Sequence, residues 1–123
     1  MGAYNWILVT QRCPACHRDA TIRCQTHVAS SHDGRNHERF MEREYRLGDK
    51  MRWWEESHHD YATWRVMGRR SPQPDSNHDE EACYSACTLC SARLYVVLRF
   101  REASPIAVLG VGLEEEWPPD YWK

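Results

Sequence analysis

The sequence predicts a mostly β, single-domain protein whose antiparallel sheet carries two cysteine knuckles. Residues 4–12 (YNWILVTQR) and 18–28 (RDATIRCQTHV) flank Cys13-Pro14-Ala15-Cys16 as the two arms of a hairpin. Residues 93–101 (RLYVVLRFR) and 106–113 (IAVLGVGL) follow a second pair with the same spacing, Cys87-Thr88-Leu89-Cys90. Both arms of each unit are rich in β-branched and aromatic residues, and they alternate with the two-residue period of a strand.

In the first unit Ile22, Cys24, Thr26 and Val28 share one face, while Thr21, Arg23 and Gln25 share the other. Residues 29–37 (ASSHDGRNH) read as a polar loop. In 39–47, Glu and Arg suit a helix, yet Met41, Tyr45 and Leu47 share a strand face; Gly48-Asp49 marks a turn, and Met51-Arg52-Trp53 follows as a short strand, so a hairpin is favoured. Residues 55–60 are solvated, 61–67 (YATWRVM) read as a strand, and 68–81, with two prolines, as the longest loop. The clearest strand is 93–101, with Leu94, Val96, Leu98 and Phe100 on one face; Ala103-Ser104-Pro105 then turns the chain into 106–113. The tail at 114–123 is acidic, then aromatic, and Pro118-Pro119 precludes a regular element there.

A chain of 123 residues is one domain by size, and with 41% hydrophobic residues its core is small. Such a chain gains from a cross-link, and its six cysteines are the obvious source. The first ten residues lack a basic start, and their short apolar run is broken by Asn5, so no signal peptide is expected. No apolar run approaches the ~20 residues of a membrane span. A cytoplasmic location follows as the expectation, and there paired cysteines bind metal more often than they join each other.

Two cysteines three apart on a tight turn present both sulfurs to one ion, and Pro14 fixes a φ angle early in the first turn. A second such turn supplies the other two corners of a tetrahedral thiolate shell, so Cys13, Cys16, Cys87 and Cys90 are the expected ligands of a zinc ion. Iron, which four thiolates also suit, is the rival. The arrangement resembles the zinc ribbon, or rubredoxin-like, group, in which two hairpin tips clamp one metal. The matching residues are Cys13, Pro14, Cys16, Cys87 and Cys90, with strands on either side. The chain departs from that pattern in three ways. His17 and Ser91 stand where a small residue, usually Gly, follows each knuckle; the second knuckle lacks its proline; and 70 residues separate Cys16 from Cys87. The resemblance therefore implies a zinc-ribbon-like domain over 1–123, with an insertion at 29–81 and an irregular tail at 114–123.

The remaining chemistry is sparse. Cys24 sits on the apolar face and reads as a buried thiol, while Cys83, four before Cys87, would make a poorer knuckle. His32, Asp33, His37, His58, His59 and Asp60 fit loop composition, since no nucleophile or oxyanion motif accompanies them, and no enzymatic activity is expected. His17 sits beside the metal as a neighbour able to donate to a sulfur. Of six tryptophans, Trp6 and Trp64 lie in expected strands and are expected in the core, whereas Trp53 or Trp54 and the tail residues Trp117, Tyr121 and Trp122 are expected as exposed anchors for a partner. The tail also has the composition to fold back on its own sheet. The expected role is binding another protein, as an adaptor or an inhibitor of the immunity type. Nucleic-acid binding is the alternative, through Arg65, Arg69, Arg70, Arg93, Arg99 and Arg101; interspersed acids and a formal charge of −2 count against it.

Overall fold

The computed structural model describes residues 4–30, 40, 42–53, 57 and 79–121. Six strands build one curled mixed sheet: β1 (Asn5–Arg12), β2 (Asp19–Thr26), β3 (Glu44–Arg46), β4 (Glu80–Cys87), β5 (Arg93–Arg101) and β6 (Ser104–Leu113). Their order is β3-β1-β2-β4-β5-β6. No α-helix occurs among the described residues, which bears out the mostly β expectation. The expected strands at 61–67 and the histidines at 32, 37, 58 and 59 lie outside the described residues, as do Trp54, Trp64, Trp122, Arg65, Arg69 and Arg70.

Alternation decides which face is buried. Ile7 and Val9 of β1, Ile22 and Cys24 of β2, and Leu94, Val96, Leu98 and Phe100 of β5 all point into one core, joined by Val28, Phe40 and Met51. Fully burying an aliphatic or phenyl side chain contributes roughly 1.5–3 kcal/mol, so this face is the main source of stability. The other face carries Trp6, Arg23, Gln25, Tyr84 and Arg93, so Trp6, expected in the core, is instead half-buried on the outer face, one residue out of phase with Ile7.

One sequence expectation is corrected here: the sheet is mixed, because β3 runs parallel to β1, with Trp6 opposite Glu44 and Leu8 opposite Arg46. The reason is Asn5. Its side chain is fully buried, and its Nδ2 donates to the carbonyls of Val28 (3.3 Å) and Ala29 (3.1 Å) while its Oδ1 accepts from Arg43 N (3.1 Å). Both ends of the connection from β2 to β3 are thus pegged to the start of β1. The chain crosses over β1 instead of folding back as a hairpin, and every polar group of the buried amide named here is paired.

A second correction concerns 51–53, which does not return as a strand beside β3. The Gly48-Asp49 turn forms as expected, with Gly48 at φ 91° and Asp49 Oδ2 accepting from Arg46 N at 2.8 Å. The chain then crosses to the far edge of the sheet. Gly48 N donates to Pro105 O (2.8 Å) and Met51 N to Ala103 O (2.7 Å), so the segment after β3 meets the start of β6 and the sheet curls on itself. Burial of Met51 in the core drives this route more strongly than an exposed two-stranded pairing could.

Strand β6 is an edge with two bulges. Val97 pairs with Gly110 and Leu98 with Val108, which leaves Leu109 unmatched; Arg99 pairs with Ala107 and Phe100 with Pro105, which leaves Ile106 unmatched. Those two residues are turned outward, at 42% and 39% exposure. Bulges of this kind twist an edge away from pairing with other chains.

Candidate metal centre

The two cysteine pairs sit at the tips of two hairpins, β1–β2 and β4–β5. The hairpins lie side by side along β2 and β4, where only Ile22–Cys87, Arg23–Ala86 and Cys24–Ser85 are in register. This seam is fastened at both ends. At one end Thr88 donates to Thr21 O from its backbone (3.1 Å) and from its hydroxyl (2.7 Å), next to the cysteines. At the other end the Glu81 carboxylate accepts from Thr26 Oγ1 (2.5 Å) and His27 N (3.1 Å), replacing ladder bonds that the diverging strands no longer make. Burial pushes the Glu81 carboxyl above its ordinary range, against the pull of those two donors.

The sulfurs of Cys13, Cys16, Cys87 and Cys90 all lie within 4.8 Å of one another. Cys13 Sγ and Cys90 Sγ are 3.7 Å apart. A tetrahedron of sulfurs each ~2.3 Å from a central zinc has edges of about 3.8 Å, so the spacing fits a metal ion at the centre. No other group of three or more cysteine, histidine or acidic side chains comes this close among the described residues.

The two knuckles are built alike, turn for turn. Cys13 N donates to Arg18 O (2.9 Å) and Cys87 N to Ala92 O (3.1 Å). His17 N returns to Cys13 O (2.8 Å), and Ser91 N returns to Cys87 O (2.9 Å). Ala15 N points at Cys13 Sγ (3.3 Å) and Leu89 N at Cys87 Sγ (3.4 Å). His17 and Ser91 both adopt φ 60°, the left-handed conformation that makes glycine usual after a knuckle. The departure noted in the sequence is therefore a strain the turns tolerate and not a different turn. A non-glycine residue there costs ~1–2 kcal/mol, part of which glycine returns as chain entropy in the unfolded state. His17→Gly and Ser91→Gly are each expected to stabilise the protein by roughly 0.5–1 kcal/mol. Both side chains are exposed, so little packing is lost. Urea unfolding of the metal-loaded variants checks this, and a loss of stability in both would show that the side chains themselves are needed.

The electrostatics of the cluster ask for a cation. The backbone N–H at Arg18, helped by the Cys13 and Cys90 thiols, draws the Cys16 pKa down to about 7. Burial opposes ionisation of Cys87, but the N–H groups of Cys90 and Leu89 outweigh it and lower its pKa. Cys90 goes the other way. Ala92 N–H favours its thiolate, yet burial and the neighbouring Cys87, Cys13 and Cys16 push it up to about 11. Thiolates this close repel one another, and a divalent ion at the centre removes that conflict.

The two remaining cysteines stay apart from the cluster. Cys24 is fully buried, and burial pushes its thiol up to about 12; Cys83 is buried too, with Sγ 3.4 Å from Glu81 Oε1, and lies well above the usual thiol range for the same reason. Neither carries a disulfide. The Glu81 clamp was missed in the sequence, where Glu81 falls in the expected loop 68–81; the structure instead begins β4 at Glu80. The register that sets Glu81 against the end of β2 is a long-range feature with no local signal. No family model, curated protein or solved structure matches this chain.

Proposed function

We propose that this chain is a zinc-stabilised binding protein of the cytoplasm, in which Cys13, Cys16, Cys87 and Cys90 hold one structural zinc ion of the zinc-ribbon type and the sheet presents a surface to a protein partner. The observation that carries the reading is the convergence of four sulfurs within 4.8 Å from two equivalent knuckles. Four protein ligands leave no open position for a substrate, which is the mark of a structural and not a catalytic zinc. Zinc is favoured over iron because a closed shell of four cysteine thiolates is the usual structural zinc site and no redox role is indicated. An adaptor or an immunity-type inhibitor fits such a small, rigid frame.

Nucleic-acid binding is less well supported. Of the arginines on β5, Arg99 is already paired with Glu80 at 3.1 Å. Affinity capture from host extract with the metal-loaded protein, before and after nuclease treatment, tests the choice. A defined protein retained after nuclease and in high salt is expected, and it should be lost when the bait is Cys87→Ser. Recovery of only nuclease-sensitive, salt-sensitive material would overturn the reading.

A further inference from the structure

The outer face of the sheet holds a shallow groove of about 290 Å³ with Trp6, Arg23, Gln25, Tyr84, Arg93 and Glu114 around it. Strand register explains the grouping. Trp6 lies opposite Gln25, Leu8 opposite Arg23, Arg23 opposite Ala86 and Ala86 opposite Arg93, so alternate residues of four adjacent strands converge on one spot.

Arg23 is held in place. Its guanidinium carbon lies 3.7 Å above the centre of the Trp6 ring, and one terminal nitrogen is 3.5 Å from Glu44 Oε2. Its Nε is sealed from water and finds no hydrogen-bond partner. Side-chain exposure is 42%, so the rest of the planar fork still reaches solvent. This guanidinium has already lost part of its hydration and its rotamer freedom, which are the costs an arginine ordinarily meets when it grips an anion. Arg93 across the groove is exposed and makes no salt bridge within the described residues. Tyr84, 38% exposed, adds an aromatic edge.

We propose that this groove receives a single carboxylate side chain from the protein partner, gripped by Arg23 and Arg93, with its flanking apolar atoms laid on Trp6 and Tyr84. The proposal rests on the reading of this chain as a protein-binding module and names the chemistry of its partner. A polyanion fits the same face poorly. Glu44 stands beside Arg23, Glu80 beside Arg99, and Glu114 lines the groove itself, so acids interrupt any path a phosphate chain would follow. An isolated carboxylate meets two arginines and two nearby acids, Glu44 and Glu114, and what favours it over a polyanion is the arginine fork, whose geometry matches its two oxygens.

The probe is an acetylated, amidated pentapeptide with a central glutamate flanked by leucines, compared with its glutamine counterpart and with a single-stranded oligothymidine. The readouts are the Arg23 Nε–H and Trp6 indole N–H resonances of the metal-loaded, nitrogen-labelled protein. Saturable shifts of both are expected with the glutamate peptide, with affinity at least fivefold weaker for the glutamine one. Arg93→Ala, a surface change, and Arg23→Lys, which keeps the charge but loses the fork, should each weaken binding at least fivefold. Equal affinity for the two peptides, no response to either, or tighter and steeply salt-dependent binding of the oligothymidine would each overturn the proposal. Zinc content measured on the same samples separates the two ideas. Failure at one zinc per chain removes the groove alone, whereas protein that folds without zinc removes the reading of the metal centre.

Discussion

Purified protein is expected to carry one zinc ion per chain, and stripping it with a strong chelator is expected to abolish the cooperative unfolding transition. The four sulfurs converge only when the two hairpins lie side by side, so metal binding and folding are a single event. Apparent binding energies of ~10–16 kcal/mol in comparable sites match or exceed the ~5–15 kcal/mol by which a whole domain is stable. Cys16→Ser and Cys87→Ser are expected to lose both metal and fold. Cys24→Ser and Cys83→Ser should keep one zinc per chain, since neither sulfur joins the cluster, though a buried hydroxyl in place of either thiol should cost ~1–3 kcal/mol. Protons compete for the same thiolates, so the metal should leave as the pH falls. Elemental analysis across these variants checks the set. Metal-free protein with a full unfolding transition, or metal lost in Cys83→Ser but kept in Cys90→Ser, would break the assignment.

Deleting residues 117–123 is expected to lower the melting temperature markedly while leaving zinc content unchanged. The sequence left two readings of Trp117 and Tyr121 open: exposed anchors for a partner, or a cover folded back on their own sheet. The structure follows the second: the three-residue 3-10 turn at Glu114–Glu116 brings Trp117 and Tyr121 back onto the outer face. The Trp117 ring lies 4.7 Å from Tyr84 and 6.2 Å from Tyr95. Its Nε1 donates to Tyr121 O (3.3 Å), and the Tyr121 hydroxyl donates to Glu80 (2.6 Å). That last bond, with burial and the Glu80 charge, pushes the Tyr121 hydroxyl up to about 12. Aromatic rings left in water on a short tail have every reason to cover a neighbouring aromatic sheet face. Trp117→Ala alone should cost about 2 kcal/mol, or roughly 6–10 °C in a domain of this size. Calorimetry decides the matter: a deletion variant melting within a degree of the parent would show that the tail does not hold the sheet.

Local signals in the sequence translated well into structure. Alternation placed Leu94, Val96, Leu98 and Phe100 in the core, and each is buried. The knuckle spacing placed four cysteines that do meet, and Cys24 is buried as its apolar neighbours implied. What failed was long-range. Asn5 read as a flaw in an apolar run, yet it is the buried peg that sends the chain over β1 and makes β3 parallel. Nothing within a few residues of Asn5 says that its amide will meet Val28, Ala29 and Arg43. Met51 read as part of a strand because its neighbours suit one, but its partner is Ala103, half the chain away. Pattern reading sees periodicity and turn chemistry. It does not see which distant carbonyl will receive a given N–H.

The seam between the two hairpins also sets how freely the protein can change in length. Joining Cys16 to Cys87 through a common ion closes a loop of 70 residues. By analogy with a covalent cross-link, tying such a loop removes about 4 kcal/mol of chain entropy from the unfolded state. That quantity grows only with the logarithm of loop length, so doubling the loop would add about 0.6 kcal/mol. The sheet proper is made by strands that hug the two knuckles, while the peg at Asn5 and the crossing at Met51 fix the few points where the intervening chain must return. Between those points, chain entropy alone sets only a small cost on added length. A scaffold held in this way can vary its long middle segment while its metal knot stays as it is.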